Sequence, residues 1–468
     1  MQNKKEYLWN IIGKFAPQAL YLGSTMILAR KLTPDDFGKV GVLAIFISIA
    51  NTLVDCGLGG SLVKEKKITN LDCSTIFSFN LFISLVIYIV LYCLGPYIEF
   101  IFKAEGLTII VRILSLFFVI NAWGIIPNTL LIRDLRFKDI MIRNIIGTIL
   151  GVTVSIIIAY SNGGAFALVA YQLTVAIVTV FISFHITGYK LSFTFNLSCF
   201  KRLVSFGAFT TISNVIDSIY ENLITFLFGR FLGMKQAGYI DQAKKLETSV
   251  TQTITTTINT VSFPILTKMR DTISAFIKEC EETTKTISYI LFPLLWIIAI
   301  YSKPIIKIIY GSKWTDASIY LSLLIYAGVF LVLESLYRNY VKSLTKVKEL
   351  MYYTLFKRLV SIIILLVSLI IDAKYLIYAY VFGSAIGLLF NVVLYTKCIQ
   401  TNFLKHLLYL TKTESTPLGL LIVFILINKI MPNIIISILV NAIVCAIFYW
   451  IYLPKIGINI RTILRNRR

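Results

Sequence analysis

Arg30-Lys31-Leu32-Thr33-Pro34-Asp35-Asp36-Phe37-Gly38 and Arg230-Phe231-Leu232-Gly233-Met234-Lys235-Gln236-Ala237-Gly238 stand two hundred residues apart and read as versions of one segment. Arg, Leu and Gly recur in register, each time where an apolar stretch of about 20 residues, enough to cross a bilayer, runs out. A second echo follows at an offset of 210, Lys138-Asp139-Ile140-Met141 against Lys348-Glu349-Leu350-Met351. A repeat of nearly half the chain decides the architecture. In a membrane chain it also points to the substrate site, because transporters built from repeats bind between them.

The class follows from composition. Of 468 residues, 57% are hydrophobic and only 15% charged, with a mean hydropathy of +0.81. A soluble chain of this balance has too little polar surface to cover its core. About fourteen stretches reach the length needed to cross hydrocarbon. They start near residues 10, 39, 75, 107, 145, 165, 207, 250, 287, 318, 358, 376, 417 and 434. The expectation is an all-α polytopic membrane protein. Six spans separate the two Arg–Gly loops, an even number that puts both on one side and makes the repeat parallel. Two six-helix lobes, 1–190 and 191–400, follow, with two extra helices and a basic tail over 401–468.

Charge sets the orientation. The net charge is +22, from 45 Lys and Arg against 23 Asp and Glu. About 29 of the basic residues fall on the side shared by the two termini and about 13 on the other, which predicts cytoplasmic termini. The tail Arg461, Arg465, Arg467 and Arg468 belongs to that side. Nucleic-acid binding is excluded because no room exists for a separate basic domain. Lys4 and Lys5 precede a long apolar run without a cleavage site, so that run reads as the first span. The seven cysteines show no Cys-x-x-Cys spacing and read as buried or reduced thiols, and no metal cluster is legible.

Thr33-Pro34-Asp35-Asp36 reads as a helix N-terminus: a capping Thr, Pro at the first helical position and acids in the first turn. With its surroundings it carries a resemblance. Ala29-Arg30, Leu32, Pro34, Asp36-Phe37-Gly38, Asp55, Gly57-Leu58, Leu62-Val63 and Arg133-Asp134-Leu135-Arg136-Phe137 resemble the polysaccharide transporter family. That family contains the Wzx-type flippases of the multidrug/oligosaccharidyl-lipid/polysaccharide superfamily. The resemblance implies a twelve-helix, two-lobed core plus two helices, working by alternating access in the bacterial inner membrane. Its implied cargo is an undecaprenyl-pyrophosphate-linked oligosaccharide repeat unit for O-antigen, capsule or exopolysaccharide synthesis. A polysaccharide polymerase and a chain-length regulator are the protein partners it suggests.

A diphosphate-sugar headgroup needs a polar, positive cavity, and charges inside spans nearly always face such a cavity or a partner. Lys14 and, one turn on, Gln18 are candidates for substrate contact, with Arg112, Arg338, Asn121 and Asn214. Each has a plainer reading: amides join helices, Arg112 and Lys14 can snorkel, and Glu334 can neutralise Arg338 four residues on. Asp55 reads as structural at a Gly-rich helix end. Asp217 and Glu221 lie four apart in span 7, so they share a helix face. Two carboxylates on one buried face repel, which makes the pair, with Glu334, a candidate for proton or sodium coupling. No cofactor is implied.

Two other functions compete. A multidrug efflux antiporter of the same superfamily would want acids and aromatics around cationic drugs. A polytopic glycosyltransferase or polymerase would use acids such as Asp35-Asp36, but also a large external loop that this chain lacks. Two His and no nucleophile–base arrangement speak against an enzyme.

Overall fold

An apolar segment that crosses hydrocarbon must satisfy its backbone internally, and here it does so as helix. The computed structural model describes residues 2–55, 58–65, 68–190, 192–431 and 433–454, with helices joined by short turns and no strand among the described residues. The first half carries α1 (Gln2–Lys31), α2 (Pro34–Gly41), α3 (Ala44–Asp55), α4 (Leu58–Lys64) and α5 (Asn70–Phe102). It continues with α6 (Leu107–Leu114), α7 (Leu116–Arg133), α8 (Phe137–Tyr160) and α9 (Phe166–Thr187). Then come α10 (Leu197–Leu232), α11 (Met234–Met269), α12 (Ile273–Ile300), α13 (Ser302–Ile309) and α14 (Ala317–Ser343). The chain ends on α15 (Val347–Ile371), α16 (Leu376–Cys398), α17 (Phe403–Ile430) and α18 (Ile434–Tyr452).

Among the described residues eleven spans are long and apolar enough to cross a membrane. The more polar α1, α10 and α11, at 30, 36 and 36 residues, make the bundle consistent with the expected fourteen. Outward faces of the spans are apolar: Ile370 on α15 is 84% exposed and Phe100 on α5 77%. Such surface is stable against lipid, not water. The chain is a multi-pass membrane protein.

The helices divide into two compact units, Met1–Asp241 with Ile309–Gly311, and Gln242–Ile308 with Ser312–Arg468. In the first, α8 packs on α1 and α9, α7 on α5 and α9, and α10 on α3, α4 and α5. Small residues set the closest approach: a Cβ at Gly147 would lie 2.9 Å from Thr179 Cγ2, and one at Gly151 2.7 Å from Val175 Cγ2. This Gly-x-x-x-Gly face lets α8 lie against α9, as small residues do where lipid offers no hydrophobic drive. Leu58, Leu62, Phe77, Ile126 and Leu203 form a core among α4, α5, α7 and α10. In the second unit α12 packs on α14 and α17, and α16 on α14 and α15. Thus α12, α14, α15 and α16 repeat the order and neighbours of α5, α7, α8 and α9.

The repeat extends to single torsions. Leu135 and Thr345, 210 apart, both adopt the left-handed region, φ 55° and 61°, which bulky residues seldom enter. The next residues, Arg136 and Lys346, open α8 and α15 with φ/ψ of −80°/55° and −84°/50°. Each pairs with the acid three residues on, Arg136 with Asp139 at 2.6 Å and Lys346 with Glu349 at 3.6 Å. The neighbouring Arg133 donates from Nη1 to the carbonyls of Leu62 (2.8 Å) and Glu65 (2.7 Å). It thereby closes the C-terminus of α4, where cations are favoured.

Thr33 and Asp36 form a capping box, Thr33 N–H to Asp36 Oδ2 at 2.9 Å and Asp36 N–H to Thr33 Oγ1 at 3.3 Å. The acids therefore start a helix, as the sequence predicts. That helix, α2, then crosses the first turns of α11 backbone to backbone. A Cβ at Gly38 would lie 1.9 Å from the Met234 carbonyl oxygen, and one at Gly238 1.8 Å from that of Pro34. Both loops of the repeat therefore sit at the same end of this unit. Gly238→Ala and Gly38→Ala are each expected to destabilise the protein by about 3 kcal/mol or more, since a buried backbone cannot yield. Gly419→Ala, with nothing within 4 Å of its Cβ, should leave the melting temperature in detergent unchanged or raised; equal melting of all three would contradict the crossing.

Candidate functional site

α8 begins at Phe137, so Arg143 lies nearly two turns inside it. Arg143 is 8% exposed, and its guanidinium reaches three helices' side chains. Nη1 donates to Ser183 Oγ on α9 at 2.5 Å, Nη2 to Asn128 Oδ1 on α7 at 2.6 Å, and Nε to Asn144 Oδ1 at 3.2 Å. All three acceptors are neutral. Among the described residues no carboxylate pairs with Arg143, and a guanidinium does not deprotonate in proteins. The result is a positive charge buried among three helices without a carboxylate to balance it, an arrangement that is costly unless it serves an anion. It borders a cavity of about 240 Å³ lined by Asn121, Gly124, Ile125, Asn128, Thr179, Val180 and Ser183.

The second unit holds a different charge arrangement. Glu334 on α14 accepts a hydrogen bond from Lys357 Nζ on α15, with the two residues 4% and 1% exposed. Gly387 on α16 makes room, because a Cβ there would lie 2.8 Å from Glu334 Oε2 and 3.3 Å from Lys357 Cδ. One turn further on α16, the buried Asn391 leaves its Nδ2 without a partner among the described residues. Arg338 and Arg358 lie within electrostatic reach of the Glu334 carboxylate. A buried pair of this kind, joining three helices, is costly to break because one charge is then stranded.

The candidate residues read from the sequence are thus scattered. Glu334 pairs with Lys357 on α15 instead of with Arg338 on its own helix, because the neighbouring helix presents an ammonium at closer range. Arg338 is half-buried. Asn121 lines the Arg143 cavity. Arg112 on α6 is half-buried and held against Tyr92, its guanidinium 4.3 Å from the ring centroid and its Nε donating to the Tyr92 carbonyl at 3.3 Å. That cation–π contact accounts for its position. Asn214 and Gln18 are exposed. Asp217 is half-buried and Glu221 exposed, so the acids expected on a buried face are less enclosed than that. The side chains of Lys14 and Asp55, and the basic tail beyond residue 454, lie outside the described residues.

Two further buried acids rest on hydroxyls. Glu247 on α11 accepts from Thr251 Oγ1 at 2.9 Å and Thr248 Oγ1 at 3.2 Å, and Glu414 on α17 from Ser288 Oγ at 2.6 Å. Hydropathy alone does not single out Arg143, Lys357 and Arg358, because the apolar runs begin near 145 and 358, at or just beyond these charges. The signal that would have found them is the helix start: Asp139 and Glu349, acids in a first turn, place those cations inside helices.

A family model described as "Polysaccharide biosynthesis protein" matches residues 27–319. An uncharacterized membrane protein in the cps region of Klebsiella pneumoniae is 25% identical over 392 residues, 82% of this chain and 79% of that one. The lipopolysaccharide biosynthesis protein WzxC of Escherichia coli (strain K12) is 25% identical over 323 residues, 69% of this chain and 66% of that one. Among solved structures, the inward closed conformation of the lipid II flippase MurJ matches with a TM-score of 0.75 at 17% identity, covering 96% of this chain and 99% of that one; this likeness is one of fold. The family match takes in both copies of the Arg–Gly loop, the Arg133–Phe137 stretch and Arg143, and by it the chain belongs to the polysaccharide biosynthesis protein family.

Proposed function

We propose that this protein is a flippase that moves a lipid-linked oligosaccharide across a bacterial inner membrane by alternating access. The cargo is an undecaprenyl-diphosphate-linked repeat unit for surface polysaccharide synthesis, and the transporter is not an enzyme. Membership of the family supports this reading, as do a relative named for lipopolysaccharide biosynthesis and a flippase-like fold. The observation that carries it is Arg143, a buried cation without a carboxylate partner beside a polar cavity. An anionic group of the cargo gains there what it loses on leaving water. A cationic drug would be repelled, which places efflux second.

Arg338, half-buried and without an ion pair among the described residues, is the cation assigned to the headgroup in the second unit. The Glu334–Lys357 pair neutralises itself and is assigned to holding α14, α15 and α16 together. Asp217 and Glu221 are assigned to coupling. The polymerase of the same pathway class is the partner that would take the product.

Reconstituted protein is expected to exchange an undecaprenyl-diphosphate disaccharide between leaflets, read by enzymatic access from outside, and Arg338→Gln to slow that exchange by about tenfold or more. Exchange no faster than in empty vesicles would refute the reading. Glu334→Gln should destabilise the protein by about 3–5 kcal/mol, and Glu334→Gln with Lys357→Met should recover most of it; a double variant as unstable as the single one would remove the strut role. With a proton or sodium gradient imposed, Glu221→Gln should lose the gradient dependence of exchange, and a variant that keeps it ends the coupling assignment.

A further inference from the structure

The surroundings of Arg143 are more elaborate than a point charge requires. Resting on the flippase reading, we infer that the cavity is a sugar subsite for one acidic sugar residue of the cargo. The sugar carboxylate meets the Arg143 guanidinium, and the ring lies among the amides and hydroxyls.

The donor inventory supports a carboxylate. A guanidinium has five N–H groups in a rigid fork, and Ser183, Asn128 and Asn144 accept one each from Nη1, Nη2 and Nε. One N–H remains on each Nη, the pair that binds a carboxylate through two parallel hydrogen bonds. Three neutral anchors on three sequence segments hold the fork in place before ligand arrives, which lowers the ordering cost of binding. A single guanidinium balances the single charge of a uronate, whereas a diphosphate carries two.

The rest of the wall suits a sugar ring. The Thr179 hydroxyl donates to the Val175 carbonyl at 2.7 Å, and Ser183 to that of Thr179 at 2.6 Å. With their protons engaged, both oxygens face ligand as acceptors for sugar hydroxyls. Asn121, on the cavity wall, supplies a further amide with both donors and acceptor. The cavity volume, about 240 Å³, falls below the roughly 300 Å³ at which pockets take drug-sized ligands, and matches one ring instead of an oligosaccharide.

The test uses a near-isosteric change. Asn128→Asp puts a carboxylate on the Arg143 fork from within, where the amide oxygen now lies 2.6 Å from Nη2. Full-length protein in lipid nanodiscs is titrated with D-glucuronate, D-glucose and inorganic pyrophosphate and followed by saturation-transfer NMR. The wild type is expected to bind glucuronate in preference to glucose. Asn128→Asp is expected to weaken glucuronate by about tenfold or more, since it spends the cation that the ligand needs. A melting temperature at or above that of wild type certifies its fold; Asn121→Asp, on the cavity wall, serves if it falls. Glucuronate binding unchanged in both variants overturns the subsite. So does pyrophosphate binding that the variants abolish while glucuronate never binds, which reassigns the cation to the diphosphate. Leaflet exchange separates the two readings: glucuronate binding without exchange of any lipid-linked sugar sinks the flippase and leaves the subsite, and the reverse result does the opposite.

Discussion

Two glycines facing each other hold the architecture to its tightest tolerance. Where α2 crosses α11, the carbonyl of Pro34 occupies the place a side chain at Gly238 would need, and the carbonyl of Met234 that of a side chain at Gly38. Nothing at this contact is a flexible side-chain tip that can swing away. The capping box of Thr33 and Asp36 fixes where α2 starts, and so which residue arrives at the crossing. Helix capping, a local effect of about 1 kcal/mol, thus acts on a long-range one.

Much of the fold was legible because a bilayer imposes a simple rule on sequence. Apolar length reports a crossing helix, and the echoes at Arg30/Arg230 and Lys138/Lys348 report the repeat. The torsions at Leu135 and Thr345 and the ion pairs beside them repeat at the same offset of 210. The site was less legible, for a physical reason. Hydropathy marks where apolar residues begin, whereas a helix begins at its cap, and α8 and α15 start about eight and eleven residues before the apolar runs at 145 and 358. Arg143 and Lys357 fall in that gap and Arg358 at its edge, so they read as loop charges while lying inside helices. Asn121 was readable as a polar residue at depth, but its neighbour Arg143 comes from another helix, and periodicity within one helix carries no such information.

Burial sorts the interior charges into two kinds. Glu334 and Lys357 satisfy one another, and Gly387 exists to let them; such a pair stiffens its surroundings and offers nothing to a passing ligand. Arg143 is held by an alcohol and two amides, groups that orient a cation without quenching it. Satisfied hydrogen bonds and unsatisfied charge are separable conditions, and a transporter of anions needs both at once: a residue that stays put and still attracts.

The reciprocity of the glycine crossing bears on ancestry. Exchange of the numbers 34 with 234 and 38 with 238 maps the contact onto itself, which is the property of an isologous interface between two copies of one polypeptide. A half-length precursor carrying a single such glycine would already have met every steric demand of the crossing by pairing with its twin. In a single chain each copy is free to differ elsewhere, as the Thr33 cap and its counterpart Gly233 do, while the two glycines answer to one shared steric demand.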